Sequence, residues 1–215
     1  MSLSGHSNWQ ALFSICAVLI SHPVSKRFVF VRHGMTDWNR EGRFQGHLDI
    51  PLNSTGRQQA LSLRRHLLKR TFDRIFTSPL QRAHETAQLI AGAVPIVPDW
   101  RIAEIHHGDW QGKTRMEIAA QWPDLWDRWE KEPLSVTPSG GETPERVRQR
   151  VEDFLRTVDG RTVLCISHGV VIQTVRTVLL HNHAGENSVT PRNASIHTFS
   201  LRKGRVTEYA IEEIV

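Results

Sequence analysis

Two histidines lie at matching positions in this chain, each directly before a glycine and two residues after a short apolar run. His33 follows the run Phe28–Val31, and His168 follows the run Thr162–Ile166. Unbroken runs rich in β-branched and aromatic residues predict strands buried on both faces of a parallel sheet. Ligands of such sheets bind beyond the carboxyl ends of the strands. Two imidazoles at two such ends can therefore converge on one pocket.

The residues around these histidines favour an anionic ligand. Arg32 precedes the first histidine, and Arg82 falls near the start of a predicted helix. Guanidinium groups match phosphate oxygens bidentately, and a helix amino end adds backbone donors. Asn39 and the pair Gln45-Gly46 supply neutral donors in the first loop. Two arginines and two histidines around one point would repel each other without a polyanion, so the predicted occupant is a phosphoryl group.

The elements that must position these residues alternate between strand and helix, which predicts a single α/β domain. Strands are predicted at Phe28–Val31, Arg74–Thr77, Ile96–Val97 and Thr162–Ile166, with a closing hairpin across Arg202–Arg205. Met35–Leu52 is expected to be a polar loop. Helices are predicted after the cap Asn53, from the cap Ser78 and Pro79 through Ala91, from Thr143 to about Val158, and from Val170 to about His181.

Composition sets limits on the function class. The 215 residues are 39% hydrophobic, enough for one sizeable core, and 27 basic against 22 acidic residues give a net charge of +5. The basic residues are spread out rather than packed into one run, which argues against a nucleic-acid partner. Cys16 and Cys165 do not make a disulfide framework, so a reducing, cytoplasmic location is expected.

The first 25 residues differ from the rest. Ala11–Ile20 is apolar but too short for a membrane span, which needs about 20 residues. A secretory signal is one interpretation, although no Lys or Arg precedes the stretch. The other is an appended helix that packs on the domain or on a second subunit, which would make a homodimer. We expect residues 1–25 to be an extension and the domain to span residues 26–215.

Five ordered motifs resemble the histidine phosphatase superfamily, the phosphoglycerate mutase-like proteins. The resemblance covers about residues 28 to 199. The matching residues are Arg32-His33-Gly34-x-Thr36-x-Trp38-Asn39 with Arg43-Phe44-x-Gly46 and Leu52-x-x-x-Gly56-x-x-Gln59-Ala60, Thr77-Ser78-Pro79-Leu80-x-Arg82-Ala83-x-x-Thr86-Ala87, Glu104-x-x-x-Gly108-x-Trp110-x-Gly112, Pro138-Ser139-Gly140-Gly141-Glu142-Thr143, and Ser167-His168-Gly169.

The resemblance implies a three-layer α/β/α sandwich with a mostly parallel central sheet, and a two-step phosphoryl transfer. His33 would be the nucleophile that forms a phosphohistidine, which water then hydrolyses. Glu104 would protonate the leaving oxygen and then activate the water; a solvated carboxylate is the alternative interpretation. The clamp on the phosphoryl oxygens would consist of Arg32, Arg82, His168, Asn39, Gln45 and Gly46. No metal and no cofactor would be needed.

Three histidines outside these motifs could suggest a metal site. Adjacent side chains on an extended segment point to opposite sides, so His106 and His107 are not expected to ligate one ion together with His47.

The segment from about 108 to 138 bears on the choice of reaction. It is short, and its bases, Lys113, Arg115, Arg128 and Lys131, do not form the pattern expected of a mutase. Trp122, Trp126 and Trp129 have helical spacing and fit either a wall over the pocket or the core of a small cap. We therefore expect a phosphomonoesterase for small phosphorylated metabolites, with a cofactor-dependent phosphoglycerate mutase as the alternative. A non-enzymatic binding module is a third hypothesis, which the filled catalytic positions disfavour.

Overall fold

A computed structural model of the chain describes residues 25–132, 135–180 and 190–214. Almost all of the predicted N-terminal extension lies outside the described residues. Within the described ranges the central sheet has six strands: β1 Lys26–Arg32, β2 Arg74–Thr77, β3 Ile96–Pro98, β4 Thr162–Ser167, β5 Ser195–Arg202 and β6 Arg205–Glu213.

The sheet is mostly parallel, as predicted. Its strand order is β3-β2-β4-β1-β5-β6. The first four strands in that order pair in parallel, and β5 and β6 add an antiparallel hairpin at one edge. Strand β1 is therefore central and lies beside β4, the other strand that leads to a histidine.

Helices cover both faces of the sheet. The described residues contain α1 Asp37–Arg40, α2 Ser54–Leu67, α3 Gln81–Ala91, α4 Arg115–Gln121, α5 Pro123–Lys131, α6 Pro144–Thr157 and α7 Gly169–Leu180. One face packs against α2 and α3, and the other packs against α6 and α7. The predicted α/β/α sandwich is confirmed.

The alternation of side chains in β1 shows why this strand is apolar along its length. Phe28 and Phe30 point into the core beneath α6 and α7, whereas Val29 and Val31 point into the core beneath α2 and α3. All four are buried. Burial on both faces leaves no solvent-facing position between Phe28 and Val31, so the charged residues of β1 lie at its two ends.

One predicted boundary is wrong, and one predicted loop contains a short helix. Ser78 does not cap a helix with Pro79 in its first turn: the hydroxyl of Ser78 accepts from Leu80 N, and α3 begins at Gln81. The proline instead lies in the turn before the helix. The loop predicted over Met35–Leu52 contains the short helix α1, because Thr36 and Asn39 form a capping box.

A small third core lies apart from the two cores of the sandwich. It contains Trp110, Ile118, Trp126 and Val136 from the segment predicted as a cap, with Phe44 packed against them. In the described part of the chain, no helix is long and apolar enough to cross a membrane.

Candidate active site

The carboxyl ends of β1 and β4 lie side by side, because the strands are parallel neighbours with Arg32 opposite Ser167. The backbone N–H of His33 donates to Ser167 O at 3.0 Å, which extends the pairing one residue past β1. His168 follows Ser167 directly. The centres of the His33 and His168 rings are 5.1 Å apart, so the two histidines converge as the sequence predicts.

A cavity of about 560 Å³ opens beside these histidines. His168 does not line this cavity; its side chain is fully buried and lies directly behind His33. The structure therefore brings all eight predicted site residues into one region. The seven that line the cavity are Arg32, His33, Asn39, Gln45, Gly46, Arg82 and Glu104.

The ring of His33 is held in one tautomer. Nδ1 lies 2.7 Å from Gly34 O, and a carbonyl oxygen can only accept, so Nδ1 carries the hydrogen. This leaves a lone pair on Nε2. Burial lowers the pKa of His33 well below its usual value, and the charges of Arg82 and Arg32 lower it further. The imidazole is therefore neutral at physiological pH and can act as a nucleophile.

Two buried guanidinium groups flank the histidines. Arg82 donates from Nη2 to Gly46 O at 2.8 Å and from Nη1 to Leu48 O at 3.1 Å. Arg32 donates from Nη1 to Pro191 O. The Nε of each arginine is buried and has no protein partner among the described residues. Burial lowers the pKa of Arg82 to about 10, so the group remains charged at neutral pH.

His168 has unused hydrogen-bonding capacity. Neither of its ring nitrogens has a partner within the described part of the chain, although both are buried. Burial lowers its pKa well below the ordinary value, and the neighbouring Arg82 adds to the effect. Buried polar groups in folded proteins are usually paired, so an unpaired imidazole at this point is suited to bind an incoming oxygen.

Asn193 belongs to this site and was not predicted from the sequence. Its Nδ2 donates to His33 O at 3.0 Å and to Asn39 Oδ1 at 3.1 Å. It therefore ties the backbone of His33 to the loop that carries Asn39. Strand pairing offers the signal that could have found it: β5 runs antiparallel to β1, so the residues before β5 lie where β1 ends.

Glu104 presents a carboxylate to the same cavity. Its Oε1 accepts from Ile105 N at 3.0 Å, and its Oε2 accepts from Val170 N at 3.5 Å. Val170 is in the first turn of α7, whose positive end favours a carboxylate. The negative charge of Glu104 partly offsets the fall in pKa of both Arg32 and Arg82. An acid and a cationic clamp therefore share the cavity.

The tryptophans of the cap have different environments. Trp110 and Trp126 are buried in the cap core with Phe44, and Trp122 packs against the same core. Trp129 lines the cavity and stacks on Trp126, with ring centres 5.3 Å apart. Only one of the three helically spaced tryptophans, Trp129, therefore contributes to the pocket wall.

The histidines considered for a metal site are used in other ways. His107 lines the cavity edge-on to Phe44 at 4.9 Å, and burial lowers its pKa to about 3. His106 Nδ1 accepts from Gly108 N at 3.1 Å, and His47 Nε2 lies 2.7 Å from the carbonyl oxygen of Glu104. Among residues 25–132, 135–180 and 190–214, no three His, Cys, Asp or Glu side chains form a group that could hold a metal ion.

Curated relatives of the chain include phosphatases. Phosphoserine phosphatase 1 of Hydrogenobacter thermophilus is 38% identical over 160 residues, which cover 72% of this chain and 76% of that protein. Glucosyl-3-phosphoglycerate phosphatase of Mycolicibacterium vanbaalenii is 33% identical over 168 residues, which cover 72% of this chain and 74% of that protein. Both names describe hydrolysis of a phosphomonoester.

A solved structure and a family description agree with these relatives. Bacillus stearothermophilus YhfR is 34% identical, with a TM-score of 0.81 over 88% of this chain and 98% of that one. Residues 28–212 match the histidine phosphatase superfamily (branch 1), which confirms the resemblance read from the motifs. The chain therefore belongs to branch 1 of the histidine phosphatase superfamily and is a phosphomonoester hydrolase.

Proposed function

We propose that this enzyme hydrolyses small phosphorylated metabolites through a phosphohistidine formed on Nε2 of His33. One observation carries the proposal: Nδ1 of the buried, neutral ring is committed to Gly34 O, which leaves the Nε2 lone pair available beside two arginines. A neutral imidazole with a fixed tautomer is an activated nucleophile that needs no additional base.

The reaction has two steps with balanced bonds. In the first, Nε2 of His33 forms a bond to phosphorus, the bond from phosphorus to the ester oxygen breaks, and Glu104 donates a proton to that oxygen. In the second, the Glu104 carboxylate takes a proton from water, the water oxygen bonds to phosphorus, and the bond from Nε2 to phosphorus breaks. Inorganic phosphate leaves, and His33 and Glu104 return to their starting states.

The transition state of each step spreads negative charge over the equatorial phosphoryl oxygens. Arg32 and Arg82 supply fixed positive charge there, and their unpaired Nε groups offer donors. His168 offers a further ring nitrogen, and neutral groups of the first loop close the clamp. Because these charges are fixed by the fold, they stabilise the transition state with little reorganisation. On this basis we propose that no divalent metal is needed for activity.

The mutase alternative finds less support in the geometry. A mutase needs a second set of cations to hold the rest of a phosphoglycerate. Besides Arg32 and Arg82, the cavity is lined by Arg115, Arg43 and Arg192. Arg43 pairs with Glu41 and Arg192 pairs with Glu213, so carboxylates already offset these two charges. Of the cap bases, Lys113 lies over the ring of Trp122 at 5.7 Å. Phosphoglycerate interconversion that is primed by the bisphosphate and is faster than hydrolysis would favour the mutase.

The decisive experiment is phosphate release from a panel of phosphomonoesters with a metal chelator present. We expect the wild type to be active and His33→Ala to be at least about 10³-fold slower, because the covalent route is lost. His66→Ala is a matched control, since His66 is an exposed residue of α2 that pairs with Glu212. Activity that persists in His33→Ala, or that the chelator abolishes in the wild type, would contradict the proposal.

We also propose a cytoplasmic location. Its support is Cys165, which is buried in mid-strand as a free thiol, as is typical of proteins from reducing compartments. Fractionation of the native host with an antibody against the enzyme tests this. Recovery in the medium or in a membrane fraction would contradict it.

A further inference from the structure

We propose that His47 is a positioning residue that ties the phosphate-binding loop to the acid Glu104. The inference rests on the proposed function, in which Glu104 protonates the leaving oxygen. His47 is not itself part of the clamp, and it does not line the cavity in the part of the chain that the structure describes. Its contacts nevertheless join two parts of the machinery that come from separate stretches of the chain.

The first set of contacts is on the clamp side. The carbonyl oxygens on either side of His47, those of Gly46 and Leu48, both accept hydrogen bonds from the guanidinium of Arg82. The segment therefore curves around Arg82, which has 1% of its surface exposed. His47 therefore lies in the segment that surrounds this arginine, but it is the backbone carbonyls of its neighbours, and not its own side chain, that bind Arg82.

The second set of contacts is on the acid side. Nε2 of His47 lies 2.7 Å from Glu104 O and must donate, since a carbonyl oxygen only accepts. The backbone N–H of His47 donates to Gln111 Oε1 at 2.7 Å. Arg150 reaches the same carbonyl of Glu104, but at 3.3 Å. His47 thus provides the shorter of the two side-chain hydrogen bonds to the backbone of the acid.

The geometry gives this hydrogen bond a function beyond local packing. Within the described residues, the Glu104 carboxylate accepts from Ile105 N at 3.0 Å and from Val170 N at 3.5 Å. Both donors are backbone groups, so the direction in which the carboxylate points depends on where the backbone around Glu104 lies. Displacement of a catalytic group by about 1 Å can lower a rate by about 10²-fold. Loss of the donor from His47 should therefore weaken proton transfer while the phosphoryl clamp, held by other contacts, persists.

A comparison of two leaving groups can distinguish weakened proton transfer from weakened binding of the phosphoryl group. An alkoxide needs a proton to leave, whereas p-nitrophenolate leaves at neutral pH without one. The value of kcat/KM covers the steps up to departure of the leaving group, so it reports the acid and not the later hydrolysis of the phosphohistidine. Comparison of an alkyl phosphate with p-nitrophenyl phosphate therefore isolates the contribution of Glu104.

Two substitutions of His47 form a matched pair. His47→Phe keeps a ring of similar size but removes the donor, and His47→Gln keeps an N–H donor near the position of Nε2. We expect His47→Phe to lower kcat/KM for the alkyl phosphate about 10- to 100-fold and to change the value for p-nitrophenyl phosphate less than about 3-fold. His47→Gln should restore most of the loss. His66→Phe serves as the control, since this exposed histidine lies on α2 and pairs with Glu212.

Other results would overturn the inference. An equal loss for both substrates, together with weaker binding of orthovanadate, would mean that His47 only shapes the phosphate-binding loop. Unchanged kinetics in His47→Phe, or a glutamine variant as impaired as the phenylalanine variant, would also contradict it. If His47→Phe fails to fold, Gln111→Leu removes the acceptor of the His47 N–H and should show the same selectivity for the alkyl phosphate.

The two proposals fail in different ways. Failure of the proposed function would appear as wild-type protein without His33-dependent hydrolysis of either substrate. Failure of the role of His47 would leave wild-type hydrolysis intact and remove only the difference between the leaving groups.

Discussion

Burial sets the protonation state of the site histidines before any substrate binds. The pKa values of His33 and His168 both lie well below the ordinary value, first because the charged form loses its solvation and then because Arg82 and Arg32 are close. The same arginines that attract a phosphoryl group therefore keep the nucleophile unprotonated. One arrangement of charges accounts for both binding and nucleophilicity.

The buried histidines also link folding to pH. Burial lowers the pKa of His107 to about 3 and that of His197 to about 4. Below the ordinary pKa of 6.5, the unfolded chain binds protons at these positions and the folded chain does not. Stability is therefore fully present above pH 6.5 and falls as the pH is lowered toward the folded-state values.

Replacement of one such histidine should reduce this dependence. His107→Phe keeps the aromatic contact with Phe44 and removes the titrating group. We expect the slope of the free energy of unfolding between about pH 5.5 and 4 to fall by about 1.4 kcal/mol per pH unit. Urea unfolding followed by circular dichroism across this range measures the slope. Parallel curves for the variant and the wild type would contradict the assignment.

Among the elements, α2 packs closely against the loop that follows β1, beside the nucleophile. A Cβ built on Gly34 would lie 2.4 Å from Gly56 O, and one built on Gly56 would lie 2.1 Å from Met35 O. The first turn of α2 thus packs directly on the backbone that follows His33. Two glycines, far apart in sequence, allow the helix to approach the loop closely.

Gly56→Ala should therefore damage both stability and turnover. We expect a loss of about 1–3 kcal/mol from overpacking, and a fall in kcat because the displaced backbone carries His33. Gly92→Ala is the control: Gly92 has a φ of 61° but open space around its Cβ position, and it lies at the far end of α3. The control should lose stability without loss of kcat in thermal and kinetic assays. Normal turnover in folded Gly56→Ala would show that the contact between α2 and the loop after β1 does not position His33.

The elements also show which features the sequence could predict. Each predicted strand was found. For β1 and β4 the reason is that an apolar run buried on two faces has few other interpretations. The cap at Asn53 and the proline-started α6 were found because their signals are local. The start of α3 was misjudged: a serine and a proline before a helical pattern also fit the turn that precedes the helix.

The site was only partly predictable for a related reason. His33, His168 and Glu104 belong to motifs. The grouping of the two histidines follows from the parallel pairing of β1 and β4, whereas Glu104 is reached only through its motif. Asn193 and His47 act through backbone carbonyls of residues far away in the chain. Such contacts depend on tertiary packing. For Asn193 the pairing of β5 with β1 is the one indirect signal, and for His47 the sequence offers no periodic or spacing signal.

At the scale of the whole molecule, an anion that binds the folded state should raise its stability. Orthovanadate resembles a transferring phosphoryl group and should bind the clamp of Arg32 and Arg82. At 100 times its Kd it adds about 2.7 kcal/mol, which corresponds to a rise in Tm of about 5–10 °C for a chain of this size.

Differential scanning calorimetry with and without orthovanadate measures this rise. Arg82→Lys should lose most of it, because a lysine cannot reproduce the two hydrogen bonds to Gly46 O and Leu48 O. A shift of equal size in this variant would place the binding elsewhere on the molecule.

Because of where the tryptophans lie, their fluorescence and the far-ultraviolet circular dichroism report on different parts of the molecule. The six described indoles lie between Trp38 and Trp129, and none is in a strand or in the helices that cover the sheet. Emission from these side chains therefore follows the loops and the cap, whereas the far-ultraviolet dichroism follows the sandwich. Loosening of the cap while the nucleophile's strand stays folded is a sub-global opening, and a difference between the two signals would make it visible.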